Sequence, residues 1–161
     1  MINCFLVVED DGSATLIDTN VPGSASAILK AARQLGATIR RILLTHAHFD
    51  HVGSLDALHN SLPAAEISIG VHEAPLLAGD FSAYGCKPGQ RAPGFMKTSS
   101  HPVRIRSDGE MIGSLRTILS PGHTPGHVAY LDTRDRSLIA GDSFTTKPGV
   151  MAAGVFKFYF P

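Results

Sequence analysis

The run Thr45-His46-Ala47-His48-Phe49-Asp50-His51 sets four metal-competent side chains within six residues. It closes a stretch, Thr38 to Thr45, that is rich in β-formers and nearly all apolar after Arg41, the mark of a buried strand. In an extended segment residues i and i+2 point the same way, so His46 and His48 converge on one cation. Asp50 and His51 fall at the turn into the next helical stretch and face a second cation beside the first. Imidazole nitrogen and carboxylate oxygen suit zinc, and also manganese or iron, while no thiolate is present for a Cys-type structural site. A solvated loop that is merely rich in histidine is the plainer alternative, and so dense a set directly after a buried strand argues against it.

Two further segments carry the same chemistry. Ser120-Pro121-Gly122-His123-Thr124-Pro125-Gly126-His127 follows a strand-like stretch, and its glycines and prolines fix a tight loop that presents His123. Ser137 to Ala140 is a short strand-like stretch ending at Gly141-Asp142, and a carboxylate with two donor oxygens is placed there to bridge two cations. All three segments lie at strand ends, where active sites of layered α/β proteins gather. A water held between two cations loses a proton near neutral pH, and the hydroxide attacks a carbonyl that a cation polarises. Asp50 is the candidate catalytic residue, accepting the water's proton and passing it to the leaving group.

His-Ala-His-Phe-Asp-His, Pro-Gly-His-Thr-Pro-Gly-His and Gly-Asp, in this order, resemble the metallo-β-lactamase-fold hydrolase superfamily, from the first residues to about Phe144. The resemblance implies an α/β (in some schemes α+β) architecture, the αββα sandwich, with a binuclear site between the sheet edges. It implies that His46, His48 and His123 hold a first metal, Asp50 and His51 a second, and that Asp142 bridges both. Two zinc ions are expected, with iron or manganese as alternatives. The family includes thioesterases of the glyoxalase II type, lactonases, β-lactamases, RNA-processing nucleases and iron-dependent persulfide dioxygenases. The compact Gly-His-Thr-Pro-Gly-His loop looks most like the thioesterase and lactonase branches. Hydrolysis of a small ester, thioester or lactone is therefore the expected reaction. The alternatives are a mononuclear iron, persulfide dioxygenase-like oxidoreductase that uses His46 or a neighbour, His123 and Asp142, and a chain active only with a partner.

Two departures from the family pattern shape the expectation. The family usually adds one more histidine to the second metal, from a Gly-His well beyond the bridging aspartate. Nineteen residues follow Asp142 here and none is histidine. Family members also usually place another strand before the one that opens this chain. The ending Val155-Phe156-Lys157-Phe158-Tyr159-Phe160-Pro161 is strongly apolar and reads as an edge that needs a cover. The expectation is a fold incomplete on its C-terminal side, a second metal held weakly, and a homo-oligomer that covers the apolar end.

These residues need a scaffold, and the pattern supplies one. Cys4 to Val8 and Ala14 to Thr19, joined through Asp11-Gly12, read as a β-hairpin. Ser24 or Ser26 caps a helix whose apolar positions are Ile28, Ala31, Ala32 and Leu35, with Gly36 at its end. Val52 to Leu62 has helical spacing with Leu55 and Leu58 inward, Glu66 to Val71 reads as a strand, and His72 to Ala78 as a short helix. Strands follow at Val103–Arg106, Ser114–Leu119, Val128–Asp132 and Ser137–Ala140. Between them, residues 79 to 101 are rich in glycine and proline without periodicity, the signature of a functional lid. Phe81, Tyr84, Phe95 and Met96 within it line an acyl pocket or form the loop's own small core. His72 at the rim and Ser143 after Asp142 are further candidates for substrate contact. His127 is expected to make a structural hydrogen bond, and His59 and His101 to be solvated.

Composition narrows the class. At 161 residues the chain is read as one domain, 1–161. With 43% hydrophobic and 17% charged residues it is too apolar for a disordered chain. A net charge of zero and the absence of a Lys/Arg cluster argue against nucleic acid as a partner, and a small molecule is the expected substrate. No uncharged apolar run is long enough to span a bilayer, so no membrane role is expected. Two cysteines and no secretory leader fit reduced thiols in the cytoplasm.

Overall fold

The computed structural model describes residues 3–82, 86–87, 89–90, 92–100, 102–105, 107–145 and 150–152. The predicted hairpin forms from β1 (Phe5–Val8) and β2 (Ser13–Ile17), antiparallel with Phe5 opposite Ile17. Strands β3 (Thr38–Leu43), β4 (Glu66–Gly70) and β5 (Val103–Ile105) then add in parallel, so the first sheet runs β1-β2-β3-β4-β5. A second, antiparallel sheet comprises β6 (Met111–Ile112), β7 (Leu115–Leu119), β8 (Val128–Asp132) and β9 (Leu138–Ile139) in chain order. A short ladder of β10 (Phe144–Thr145) and β11 (Met151–Ala152) lies beyond them.

Alternation along the strands builds two cores. Ala14, Leu16, Ile42, Leu44, Ile67 and Ile69 face the helices and pack with Ile28, Ala32, Leu55 and Leu58. Val7, Ile17, Leu43 and Ile105 face the other way and meet Leu115, Val128 and Tyr130 of the second sheet. This period-two switching makes the first sheet a partition between a helical layer and a second sheet, three of the four layers of an αββα sandwich. Tyr130, fully buried, ties the sheets together by donating its hydroxyl proton to the Leu44 carbonyl at 2.8 Å.

The helices depart from the sequence expectation in detail. Helix α1 (Ala25–Gln34) buries Ile28 and Ala32, and Gly36 takes φ +65° just past its end, as expected of a C-terminal glycine. Ser24 occupies its cap position, but its hydroxyl makes no capping bond. The stretch expected as one helix from Val52 to Leu62 is two helices, α2 (Phe49–Val52), which begins earlier, and α3 (Leu55–Ser61). They are parted at Gly53, where a Cβ would meet the Pro22 ring at 2.4 Å and the Phe49 carbonyl at 2.6 Å. Asp50 and His51 thus lie inside the first helical turn. Helix α4 is shorter than expected, Ala74–Leu77. His59 on α3 is half-buried rather than solvated, and His101 lies outside the described residues.

Parts of the loop 79–101, expected to act as a lid, are attached to this frame. The Phe49 amide donates to the Gly94 carbonyl at 2.9 Å, and His48 and Phe95 form an isolated antiparallel bridge. The Thr98 amide donates to the Leu77 carbonyl at 2.9 Å. The Asp56 carboxylate on α3 accepts from the Ser99 and Ser100 amides and from the Ser100 hydroxyl, at 2.8–3.1 Å.

Candidate active site

Every functional segment follows a strand: Asp18 after β2, His46 to His51 after β3, Glu73 after β4, His123 after β7 and Asp142 after β9. Among the described residues, side chains from three of these segments meet in two groups of converging ligand atoms, each within 4.8 Å. The first is His46, His48 and His123, and the second is His46, His51 and Asp142.

In the first group, His48 Nδ1 lies 2.9 Å from His46 Nε2 and 3.0 Å from His123 Nε2. Thr45 fixes which nitrogen of His46 is exposed to the others. Its hydroxyl donates to Asp18 at 2.9 Å and so accepts from His46 Nδ1–H at 3.0 Å, which leaves a lone pair on Nε2 directed into the group. Burial pulls all three imidazoles down in pKa, His46 well below its usual value and His48 to about 4, with the neighbouring imidazoles adding to the effect on both. Neutral nitrogens gathered this tightly fit a divalent cation. A tetrahedral site with 2.0–2.1 Å bonds would space its nitrogens about 3.3 Å apart.

The second group has a different character. His51 is 4% exposed, and its Nδ1–H donates to Asp18 Oδ2 at 2.7 Å. Its Nε2 is buried without a hydrogen bond and lies 3.5 Å from Asp142 Oδ1. Burial depresses the His51 pKa, but the Asp142 and Asp18 carboxylates outweigh it and push the group up to about 10. The other oxygen of Asp142 lies 3.4 Å from His123 Nε2, so this carboxylate reaches a member of each group. His127 steadies it. Fully buried and lowered by burial to about 4, His127 accepts the Asp142 amide proton on Nε2 at 3.1 Å and donates from Nδ1 to the Ser120 hydroxyl at 2.8 Å. The structural hydrogen bond expected of His127 is therefore double.

Of the six sequence-predicted ligands, five lie in these groups. Asp50, half-buried on α2, stands in neither, although its charge acts on His123. His72 is exposed and also belongs to neither group. Ser143 spends its hydroxyl on the Ala140 carbonyl at 2.7 Å, the local backbone bond that polar loop residues usually make. Phe81 is 8% exposed and packs on Phe95 with ring centroids 5.5 Å apart, while Phe95 packs on the His48 ring at 4.6 Å. These two and Met96 line a cavity of about 400 Å³ with Gln90 and Lys97, so Phe81 serves the loop's core and the pocket together. Tyr84 lies outside the described residues.

Two buried carboxylates were not among the sequence candidates. Asp18, at φ +59°, binds the Thr45 amide, the Thr45 hydroxyl and His51. Glu73, fully buried, accepts from the amides of Ala47 and Gly126. Both follow strands, β2 and β4, as Asp142 follows β9, and these two strands are the more deeply buried.

The chain matches the family model of the Metallo-beta-lactamase superfamily over residues 1–157. It belongs to that superfamily and is by class a metallo-hydrolase domain. It is 44% identical to "Uncharacterized protein YobT" of Bacillus subtilis (strain 168), over 99% of this chain and 69% of that protein. "Probable metallo-hydrolase YflN" of the same organism is 31% identical, over 83% of this chain and 56% of its own length. The hydroxyacylglutathione hydrolase of Legionella pneumophila (strain Corby) is 27% identical, over 83% of this chain and 44% of its own length. The chain thus spans about half the length of these last two relatives. Among solved structures, TTHA1623 in a di-iron-bound form superposes with a TM-score of 0.71 at 27% identity, covering 96% of this chain and 77% of that one. The BLEG-1 B3 metallo-beta-lactamase shares the fold with a TM-score of 0.72 at 24% identity, over 95% of this chain and 74% of that one. Among the described residues, no helix is long and apolar enough to cross a membrane.

Proposed function

We propose that the chain is the metal-binding part of a hydrolase that cleaves a small ester, thioester or lactone, with zinc as its metal. The observation that carries this reading is the meeting of three desolvated imidazole nitrogens at 2.9–3.0 Å beside a carboxylate that also reaches His51. In it His46, His48 and His123 hold one cation, His51 belongs to a second, and Asp142 serves both. The metal, when bound, supplies Lewis-acid chemistry, lowering the pKa of a water and polarising a carbonyl. The chain's own residues do the rest. Asp18 and Thr45 hold His46 and His51 in fixed tautomers. Asp50 is the proton acceptor that later serves the leaving group. Phe81, Phe95 and Met96 offer an apolar surface to the acyl part of the substrate. The hydroxyacylglutathione hydrolases among the relatives favour a thioester first.

Titration calorimetry of metal-free protein tests the reading. One tight and one weaker zinc site are expected, because His51 and Asp142 form the thinner ligand set. Asp142→Asn should take the stoichiometry from two towards one while far-UV circular dichroism is kept. Loss of the fold instead would make Asp142 a structural turn residue and sink its bridging role. A second reading rests on His46, His51 and Asp142, two histidines and one carboxylate, the ligand type of non-haem iron oxygenases. Iron in the purified protein, with oxygen uptake on a glutathione persulfide and no thioester hydrolysis, would replace the first reading by this one.

A further inference from the structure

We propose that Glu73 is a positioning residue that sets the width of the three-histidine group by clamping together the two loops that form it. This rests on the reading of His46, His48 and His123 as metal ligands. Glu73 Oε2 accepts the amide proton of Ala47 at 2.9 Å, and Ala47 is the residue between His46 and His48. Glu73 Oε1 accepts the amide proton of Gly126 at 2.8 Å, three residues beyond His123. The partners are 26 and 53 residues away along the chain, so one side chain spans two loops whose backbones also meet where the Val128 amide donates to the Thr45 carbonyl at 2.9 Å.

The clamp has a rigid base. The Glu73 amide closes a turn onto the Gly70 carbonyl at 2.9 Å, and the Glu73 carbonyl receives the Leu76 and Leu77 amides at the start of α4. Glycine lets the His123 loop come down onto this turn. A Cβ on Gly70 would lie 2.0 Å from the Gly126 carbonyl oxygen, and one on Gly126 would lie 2.8 Å from the Glu73 nitrogen. Backbone therefore seats on backbone, and the carboxylate fixes where it stops. Only a carboxylate does this at full burial, because it offers an acceptor oxygen to each loop. A glutamine of the same shape turns an N–H donor towards one of the two amides, and an alkyl chain strands both of them unpaired.

The test is zinc binding by Glu73→Gln, measured by chelator competition, with the absorption spectrum of the cobalt-loaded protein as a second readout. Zinc affinity of the three-histidine group should fall about 10- to 100-fold, as when other outer partners of metal ligands are removed. The cobalt ligand-field bands should change in position and intensity while circular dichroism stays that of the parent. Parental affinity and spectrum in the folded variant would overturn the clamp. Hydrogen exchange on the metal-free parent decides the matter even if the variant does not fold. The Ala47 and Gly126 amides should exchange slowly before any zinc is added. If both exchange at loop rates until zinc arrives, the metal gathers the loops and Glu73 does not. A parent that binds no zinc at all would instead sink the metal reading, and the clamp's purpose with it.

Discussion

On one side of His46 stand two neutral imidazoles, His48 and His123; on the other stands His51, an imidazole caught between the carboxylates of Asp18 and Asp142. The first side is stripped of protons by burial, and His48 falls to about 4. The second holds its proton, and His51 rises to about 10. In the metal-free chain that proton supplies the positive charge that two nearby carboxylates require. A cation entering the first side displaces nothing, whereas one entering the second must expel the His51 proton. Neighbouring groups that share a ring are thus prepared for metal in opposite ways.

The comparison breaks first at His123. His123→Ala should weaken zinc at the three-histidine group by more than about 100-fold, beyond the usual cost of losing an outer partner. Calorimetry that still finds the tight site intact would remove His123 from it. Asp18→Asn addresses the other side. It should cost about 10- to 100-fold in affinity at the group containing His51, and the His51 ring, followed by NMR titration of metal-free protein, should lose much of its raised pKa. An unchanged His51 titration would assign the proton to Asp142 alone.

A smaller effect sharpens the contrast through pH. With the His51 pKa near 10, each unit of pH between 7 and 9 should raise affinity at its group about tenfold, because one proton leaves as one cation enters. The three-histidine group, already deprotonated, should show no such slope. Equal slopes at both would contradict the assignment of protons. Tyr130→Phe is the smallest test and the control for stability. It removes the hydrogen bond to Leu44 in the core between the sheets and should cost about 1 kcal/mol in chemical denaturation. Zinc affinity should not move, and a change there would mean that inter-sheet packing reaches the site.

Five of the six residues expected to face a cation were legible in the sequence because their spacing is local, while Asp50, expected beside them, stands in neither group. His46 and His48 share a face by strand period, and His123 sits in a loop whose glycines and prolines declare it. Asp142 was legible by its place after a strand. Asp18 and Glu73 sit at equivalent places, yet a single acidic residue after a strand is most often a turn. What distinguishes them is a set of bonds to Thr45, Ala47 and Gly126, each more than twenty residues away, which no local pattern encodes. The same holds for the close approach of Pro22 to Gly53, which leaves no room for a side chain there and comes from a distant part of the chain. The partition of apolar residues between two cores was legible only as alternation, since which face meets helices and which meets a second sheet depends on the later strands.

The points of attachment of the loop 79–101 draw a boundary that bears on how this scaffold could be given new specificity. Gly94, Phe95, Thr98, Ser99 and Ser100 all bond to the frame, and Phe95 lies against a ligand ring. A foreign loop spliced in across the whole of 79–101 would carry off the bracing of His48 along with the old pocket. An exchange cassette cut between Ser82 and Ala92 would leave that bracing in place, with Phe81 still packed behind Phe95. Changes of substrate should therefore be won in the first part of the loop, and metal binding should survive there through insertions that would be ruinous a few residues later.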